Sequence, residues 1–288
     1  MNLIVVYDYA YGNLDAERML LCWIRHINKF AKNCNVYIVY GSRINPDEIL
    51  SIIEPQISNL NVIFEYGITC PKKYNYRVID NVFHVNFNLY NVMKVYEKIK
   101  EPLIYMDLDA ILLSDLNEWW EYVTDRSFIG TMHYPIGQNL NAGAYSFSGD
   151  CKLNFDELIN RFFENKKEYK KIQDLCREQS KSWLGMRNYT LWDSVFTCTG
   201  NLKGSGDQPL YINYFVKTNE SPYYEKHGPE WNVFSNFVTY NIGDDGYINI
   251  SNIRNRMGFN VKKVKLLHAY AGGKKKLMQN LKNSNYYK

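Results

Sequence analysis

Long hydrophobic runs are missing from this sequence of 288 residues. A membrane-spanning helix needs about 20 consecutive apolar residues, and no segment approaches that length. The first apolar run, which begins at Leu3, reaches Asp8 too early to form the hydrophobic core of a secretory signal peptide. We therefore expect a protein with no membrane span and a cytoplasmic location, in a bacterium, in a viral setting or in a host cytosol.

Zinc-type cysteine patterns and a strong basic stripe are also missing. None of the six cysteines forms a Cys-x-x-Cys pair, and their spacings fit no zinc site, so we expect reduced thiols in a reducing compartment. The formal net charge is only +4, and the basic residues are spread along the chain apart from the cluster at 274–276. This weak bias argues against a nucleic-acid partner.

The composition is sufficient for one sizeable globular domain. Hydrophobic residues make up 46% of the chain, and no internal repeat or low-complexity linker divides it. We expect a single domain over residues 1–288, with a charged helical insertion at about 154–200.

The first half alternates between short apolar runs and amphipathic stretches. Apolar runs predict strands at 3–7, 36–40, 62–66 and 103–106. Apolar residues recur at three- and four-residue steps in 14–31, which predicts a helix, and further helices are predicted from Pro46 onwards and over 82–99. This alternation is typical of an α/β fold with a mainly parallel sheet flanked by helices.

The second half is less regular. Strands are predicted at 128–131, 144–147 and 264–267. The C-terminal tail carries Tyr286 and Tyr287, and a frayed terminus is predicted there.

Two acids follow the predicted strand at 103–106. Asp107 and Asp109 belong at the carboxyl end of that strand, because a buried unpaired charge is costly and ligands bind at this edge of an open α/β sheet. Carboxylates at alternate positions can hold one divalent ion, directly or through water. A bare Asp-x-Asp is common by chance, so a solvated turn stays open as the other interpretation.

Further residues extend this pattern into a recognisable set. Tyr105-Met106-Asp107-Leu108-Asp109-Ala110, followed by Leu113-Ser114-Asp115-Leu116, resembles family 8 glycosyltransferases, the group that contains glycogenin and bacterial lipopolysaccharide glycosyltransferases. Asn141-Ala142-Gly143, Asp207-Gln208 and the segment from His268 to Lys274 are similar to three further motifs of that family, in the same order. The resemblance implies the GT-A fold, a Rossmann-like sheet, and transfer of a hexose from a nucleotide-diphosphate sugar.

The resemblance also implies roles for individual residues. Asp107, Asp109 and His268 would bind Mn²⁺ or Mg²⁺, and His268 has a physical reason to do so because a neutral imidazole can complete a site of two carboxylates. Gly272 and Lys274 would contact the diphosphate, through close backbone approach and a positive charge. A UDP-sugar is the implied donor, and its uracil would lie near Asp8 and either Tyr9 or Tyr11, where an aromatic ring could stack on it.

The remaining candidates would act on the sugars. Asn141 and Ala142 would lie beside the donor sugar, and Asp207 and Gln208 would bind sugar hydroxyls as the catalytic pair. The segment between Asn141 and Asp207 is longer than in compact family members, and Asp193 within it is a rival for the catalytic acid. The anomeric configuration would be retained, unless Asp193 or Asp207 acts as a base on the opposite face.

Two other functions fit a similar α/β core. A sugar nucleotidyltransferase would need a glycine-rich basic loop after the first strand, and residues 7–13 lack one. A non-catalytic carbohydrate-binding protein is the second alternative. The expected partners are a nucleotide-sugar donor and a glycan or protein acceptor, with a homodimer possible.

Overall fold

The computed structural model describes most of both ends of the chain and its central sheet. The described residues are 1–7, 13–42, 44–69, 76–78, 81–83, 87–132, 140–151, 156–157, 224–255, 260–269 and 272–287. The predicted insertion at about 154–200 lies outside them, apart from residues 156–157.

Strands and helices alternate through the first half, as the apolar pattern predicts. The described strands are β1 (Asn2–Tyr7), β2 (Cys34–Tyr40), β3 (Leu60–Tyr66), β4 (Tyr76–Val78), β5 (Asn81–Phe83), β6 (Leu103–Met106), β7 (Ala110–Leu112), β8 (Phe128–Met132), β9 (Leu140–Phe147), β10 (Val233–Phe234), β11 (Val238–Ile242), β12 (Ile248–Ile253) and β13 (Leu266–His268). The described α-helices are α1 (Asn13–Phe30), α2 (Pro46–Ile53), α3 (Phe87–Ile99), α4 (Asn117–Trp120) and α5 (Gly272–Asn283).

The central sheet has six strands in the order β3-β2-β1-β6-β9-β8. β3, β2, β1 and β6 are parallel, and β9 pairs antiparallel with both β6 and β8. β1 and β6 are buried along their whole length, which explains their unbroken apolar sequences, since a parallel strand is covered on both faces. The predicted mixed α/β fold is therefore confirmed.

The helices cover this sheet through the apolar faces that their sequences predict. In α1 the buried residues include Leu20, Trp23, Ile24 and Ile27, which recur at three- and four-residue steps. The start of α2 is fixed by Asn45, whose side-chain oxygen accepts a hydrogen bond of 3.1 Å from the backbone N–H of Asp47. Pro46 occupies the first turn, where its missing N–H costs nothing.

The predicted helix at 82–99 is wrong at its beginning. Residues 81–83 form β5, which pairs antiparallel with β4 in the register Tyr76 to Phe83. α3 begins only at Phe87. The helix starts later because Val82 and Phe83 pair with β4, which is close to β5 in sequence. Valine and phenylalanine are also residue types that favour strands.

A second, three-stranded sheet in the order β10-β13-β7 joins distant parts of the chain. β13 runs parallel to β10 and antiparallel to β7. The strand predicted at 264–267 is observed as Leu266–His268, so His268 itself is the last strand residue. Just before it, the Lys265 carbonyl accepts a hydrogen bond from the Leu113 N–H, and the Lys265 N–H donates one to the Glu230 carbonyl.

A frayed terminus is the wrong interpretation for Tyr286 and Tyr287, which end the segment 272–287. This segment forms α5 and a short 3₁₀ turn at Asn285–Tyr287. Tyr287 is buried, its hydroxyl donates a 2.7 Å hydrogen bond to the carbonyl of Gly246, and its own carbonyl accepts one of 3.0 Å from Arg18. The tail is therefore anchored to α1 and to the β11–β12 turn.

Within the described ranges, no helix combines the length and apolar character that crossing a membrane requires. Cys22, Cys34 and Cys151 are free thiols. Burial raises the pKa of Cys22 and of Cys34 to about 12, so these two thiols are structural rather than reactive.

Candidate metal centre

The end of β6 carries both acids of the Asp-x-Asp pair. The backbone N–H of Asp107 donates a 2.7 Å hydrogen bond to the Gly143 carbonyl on β9. The Ala110 N–H donates a hydrogen bond of 2.9 Å to the Asp107 carbonyl. The chain thus turns between β6 and β7 at these residues. The Asp109 side chain is only 5% exposed, whereas that of Asp107 is 30% exposed. One carboxylate is therefore buried and the other is partly exposed to solvent.

The second sheet brings His268 to the same point. His268 pairs with Ala110 across the β13–β7 ladder, and the Ala269 N–H donates a 2.9 Å hydrogen bond to the Asp109 carbonyl. The Nε2 atom of His268 lies 3.6 Å from Asp109 Oδ1 and 4.0 Å from Asp107 Oδ2. The structure therefore brings together all three residues predicted as metal ligands.

Lys274, on the first turn of α5, adds a positive charge to this centre. Its ammonium nitrogen lies 2.8 Å from Asp109 Oδ2. Burial by itself would raise the pKa of Asp109, but hydrogen bonding and positive charge from His268 and Lys274 outweigh it and hold this pKa below its usual value. Asp109 is therefore an ionised carboxylate inside the protein.

A line of buried polar groups continues from His268 into the central sheet. His268 Nδ1 lies 3.1 Å from Asn232 Oδ1, and Asn232 Nδ2 donates a 2.9 Å hydrogen bond to Thr131 Oγ1. The Thr131 hydroxyl donates a 2.9 Å hydrogen bond to the carbonyl of Ala144. The residues His268, Asn232 and Thr131 are each at most 3% exposed, so water does not compete for these bonds.

Asp107 has a partner of its own on β6. The Tyr105 hydroxyl donates a hydrogen bond to Asp107 Oδ1, and Asn88 Nδ2 donates one of 3.4 Å to the same hydroxyl. Tyr105 and Asp107 are two residues apart and therefore lie on one face of the strand.

The start of α5 packs closely on the segment after β10. A Cβ atom placed on Gly273 would lie 2.0 Å from Ser235 Oγ, whereas one on Gly272 would have its nearest neighbour, Asn236 Nδ2, at 4.0 Å. Only glycine fits at position 273 without a shift of its surroundings. This close approach fixes the backbone position from which the Lys274 side chain extends to Asp109.

The arrangement fits a divalent ion. Ligand atoms of Asp107, Asp109 and His268 all lie within 4.8 Å of one another. Two ligands of one ion, each at about 2.1 Å, can be no more than about 4.2 Å apart, so both distances from His268 Nε2 already meet this limit. Two carboxylates and one imidazole are also a donor set that suits a first-row divalent metal.

Several predicted site residues lie outside the described part of the chain. These are Asp8, Tyr9, Tyr11, Asp193, Asp207 and Gln208. Asn141 and Ala142 lie on β9, just before the Gly143 carbonyl that bonds to Asp107. Gly272 and Lys274 lie at the start of α5, and Lys274 reaches the candidate ligand Asp109.

Sequence reasoning missed the residues that hold the ligands in place. Tyr105 could have been found, because it precedes Asp107 by two positions in a strand. Asn232 and Thr131 belong to no motif, and no spacing connects them to His268.

Comparisons with known proteins indicate the fold. No protein-family model and no curated protein sequence matches this chain. Solved structures do match, among them the apo form of the glycosyltransferase GlyE of Streptococcus pneumoniae, with 14% identity, a TM-score of 0.52, and coverage of 94% of this chain and 54% of GlyE. This chain therefore spans about half the length of that relative.

Two other solved structures have similar length. The galactosyltransferase LgtC, in complex with donor and acceptor sugar analogues, has 11% identity, a TM-score of 0.52, and coverage of 99% of this chain and 96% of LgtC. Mouse xyloside xylosyltransferase 1 has 13% identity, a TM-score of 0.52, and coverage of 95% of this chain and 99% of the xylosyltransferase. At these identities the likeness shows a shared fold, and the predicted GT-A type fold is confirmed.

Proposed function

We propose that this protein is a metal-dependent glycosyltransferase that transfers a hexose from a UDP-sugar to a glycan or protein acceptor, with retention of the anomeric configuration. The observation that carries the proposal is the convergence of Asp107, Asp109 and His268 at the carboxyl end of β6. In open α/β sheets this is the edge where ligands bind. The GT-A fold, shared with solved glycosyltransferases, supports the same function, and membership of family 8 is part of the proposal.

A divalent ion would supply charge neutralisation for the departing diphosphate. Asp107, Asp109 and His268 would hold it, and the imidazole in this set favours Mn²⁺ over Mg²⁺, because Mg²⁺ prefers oxygen ligands alone. Lys274 already lies within 2.8 Å of Asp109 and would add its positive charge on the same side.

Other residues would bind the donor. The backbone at Gly272 starts α5, where free N–H groups and the helix dipole favour an anion such as a phosphate. Asn141 and Ala142 would contact the donor sugar, and Asp8 with Tyr9 or Tyr11 would contact the uridine. Asp207 and Gln208, with Asp193 as the alternative acid, would orient the sugar hydroxyls and the acceptor.

Retention places the acceptor hydroxyl on the same face of the sugar as the leaving diphosphate. The anomeric carbon–oxygen bond breaks, a new one forms to the acceptor oxygen, and the acceptor proton can pass to the departing phosphate oxygen. No strong base opposite the leaving group is needed in this arrangement.

A screen of nucleotide sugars for hydrolysis in the presence of Mn²⁺ tests the proposal. Asp109→Ala and the nearly isosteric Asp109→Asn should each lose activity by about 10²-fold or more, because the buried charge that binds the ion is gone. Asp244→Ala, at an exposed position in the β11–β12 turn, is the matched control and should behave as the wild type.

The outcomes separate the alternatives. Wild-type rates in both Asp109 variants would refute the metal assignment. Donor binding by the wild type without any turnover, even with acceptors supplied, would instead identify a carbohydrate-binding protein. Release of pyrophosphate from a nucleoside triphosphate and a sugar phosphate would identify a nucleotidyltransferase.

A further inference from the structure

Asn232 lies between a candidate metal ligand and the central sheet. It is 1% exposed and directly precedes β10, whose Phe234 pairs with His268 in the β10–β13 ladder. The edge of the Phe234 ring also meets the His268 ring, with centroids 5.7 Å apart and planes at 72°. The His268 imidazole is therefore packed on one side and hydrogen-bonded on another.

The direction of each hydrogen bond in this line can be worked out from its far end. The Ala144 carbonyl can only accept, so the Thr131 hydroxyl donates its single proton there. The Thr131 oxygen must then accept from the Asn232 amide NH₂. This fixes the amide orientation and leaves Asn232 Oδ1, which is purely an acceptor, against His268 Nδ1.

His268 Nδ1 must therefore carry a proton. In the neutral imidazole the lone pair is then on Nε2, the atom that lies 3.6 Å from Asp109 and 4.0 Å from Asp107. Without Asn232, the ring could place its proton on Nε2 or rotate about its χ angles. Either change removes the nitrogen lone pair from the space between the carboxylates.

We propose that Asn232 is the positioning residue for the metal centre: it holds His268 in the Nδ1-protonated tautomer, with Thr131 fixing the amide orientation, so that Nε2 is available to the ion. This inference rests on the metal site of the proposed function. It extends that site to β8 and β9, because Thr131 lies on β8 and Ala144 on β9 directly after the Asn141-Ala142-Gly143 segment.

The test compares three variants in isothermal titration of the metal-free protein with Mn²⁺. Asn232→Leu keeps the approximate volume but has no acceptor, and it should weaken Mn²⁺ binding by about tenfold to a hundredfold. Asn232→Asp keeps an acceptor for Nδ1–H but loses the NH₂ donor to Thr131, and it should bind Mn²⁺ close to wild-type strength. Thr131→Val leaves the amide free to turn over and should weaken binding by about tenfold.

A spectroscopic readout tests the tautomer without any activity measurement. In nitrogen-15 imidazole NMR of the protein loaded with Zn²⁺, a diamagnetic ion that binds imidazole, His268 of the wild type and of Asn232→Asp should carry its proton on Nδ1. In Asn232→Leu the His268 signals should show a mixture of tautomers. Thermal unfolding of the metal-free variants establishes whether each is folded. If Asn232→Leu does not fold, the comparison of Asn232→Asp with Thr131→Val still tests the proposal.

The possible failures are distinguishable. If the wild type binds no Mn²⁺, the metal centre and this inference fall together. If the wild type binds Mn²⁺ and loses it in Asp109→Asn, but Asn232→Leu binds as tightly as the wild type, only the role of Asn232 is refuted. Equal losses in Asn232→Leu and Asn232→Asp would also refute it, because they would show that packing, not the acceptor, matters.

Discussion

A single buried hydroxyl sets the position of the more open carboxylate. The Tyr105 hydroxyl bonds to Asp107 Oδ1, and the Tyr105 ring packs on Tyr145 with centroids 4.8 Å apart. A carboxylate that is 30% exposed would otherwise sample several rotamers. The contact with Tyr145 thus holds the Tyr105 ring in place, and the Tyr105 hydroxyl orients the Asp107 carboxylate.

Tyr105→Phe should weaken Mn²⁺ binding by about tenfold in a protein that still folds. The ring contact remains, while a hydrogen bond to a charged group is lost, and such bonds contribute roughly 1.5–3 kcal/mol. Isothermal titration with Mn²⁺ measures the effect. Tyr96→Phe removes a similarly buried hydroxyl, which bonds at 2.6 Å to the Ser148 carbonyl, and should leave Mn²⁺ affinity unchanged. Equal affinities in all three proteins would contradict the role of Tyr105.

The sequence indicates the candidate metal ligands more clearly than the residues that position them. Asp107 and Asp109 are recognisable because acids at a strand end break an apolar run. His268 is recognisable because it too follows an apolar run. Asn232 gives no such signal, since its importance arises only when β10 pairs with β13, and that pairing depends on the folded chain.

At the scale of elements, the packing of the start of α5 determines where the Lys274 side chain lies. Gly273 lies against the buried Ser235, whose hydroxyl would be 2.0 Å from an added Cβ atom. A Cβ atom added to the neighbouring Gly272 would have its nearest atom, Asn236 Nδ2, at 4.0 Å and would therefore fit without a clash. The two glycines therefore differ in what they permit, although both lie in the first turn of one helix.

Gly273→Ala should destabilise the protein by about 1–3 kcal/mol, because the new methyl group overpacks against Ser235. Gly272→Ala should be neutral or stabilising by up to about 1 kcal/mol, because alanine favours the helix. Urea unfolding measures both. The double variant Gly273→Ala with Ser235→Ala removes the clashing oxygen and should recover most of the loss. No recovery would show that the clash is elsewhere.

The elements themselves were predictable where pairing follows chain order. β1, β2, β3 and β6 are apolar runs long enough to be read directly, and the full burial of β1 and β6 in the parallel sheet explains their composition. β7, β10 and β13 have only two or three residues each. Segments that short carry no periodicity, so their pairing is decided by tertiary contacts between distant parts of the chain.

At the scale of the whole molecule, His26 links α1 to the β11–β12 hairpin. Its Nδ1–H donates a 2.7 Å hydrogen bond to the Cys22 carbonyl, and its Nε2 accepts one of 3.1 Å from the Ile248 N–H. The second bond requires the neutral ring, because a protonated Nε2 has no lone pair with which to accept it. Burial, with the nearby charges of Lys29 and Arg25, lowers the pKa of His26 to about 4.

Folding stability should therefore fall as the pH is lowered. The ordinary pKa of His26 is 6.5, so the unfolded chain binds a proton between pH 6.5 and about 4 that the folded chain does not. The contribution of His26 is fully present above pH 6.5 and is lost towards pH 4, by about 3 kcal/mol in all. Urea unfolding at several pH values between 7 and 4 measures this slope.

His26→Gln provides the comparison for the pH dependence. The variant should be less stable at pH 7 but should lose less stability on acidification, because one titrating group is gone. Burial also lowers the pKa of His227, so part of the acid sensitivity should remain. Identical slopes in the two proteins would exclude His26 as a source of the pH dependence.

The ladder between β7 and β13 has a consequence for biosynthesis. Asp109 reaches its histidine neighbour only through a strand that the ribosome makes more than half the chain later, and Lys274 follows that strand. A nascent polypeptide that has folded only its N-terminal sheet holds two acids without their basic counterparts. The three candidate metal ligands can therefore come together only after residues near the C-terminus have been synthesised.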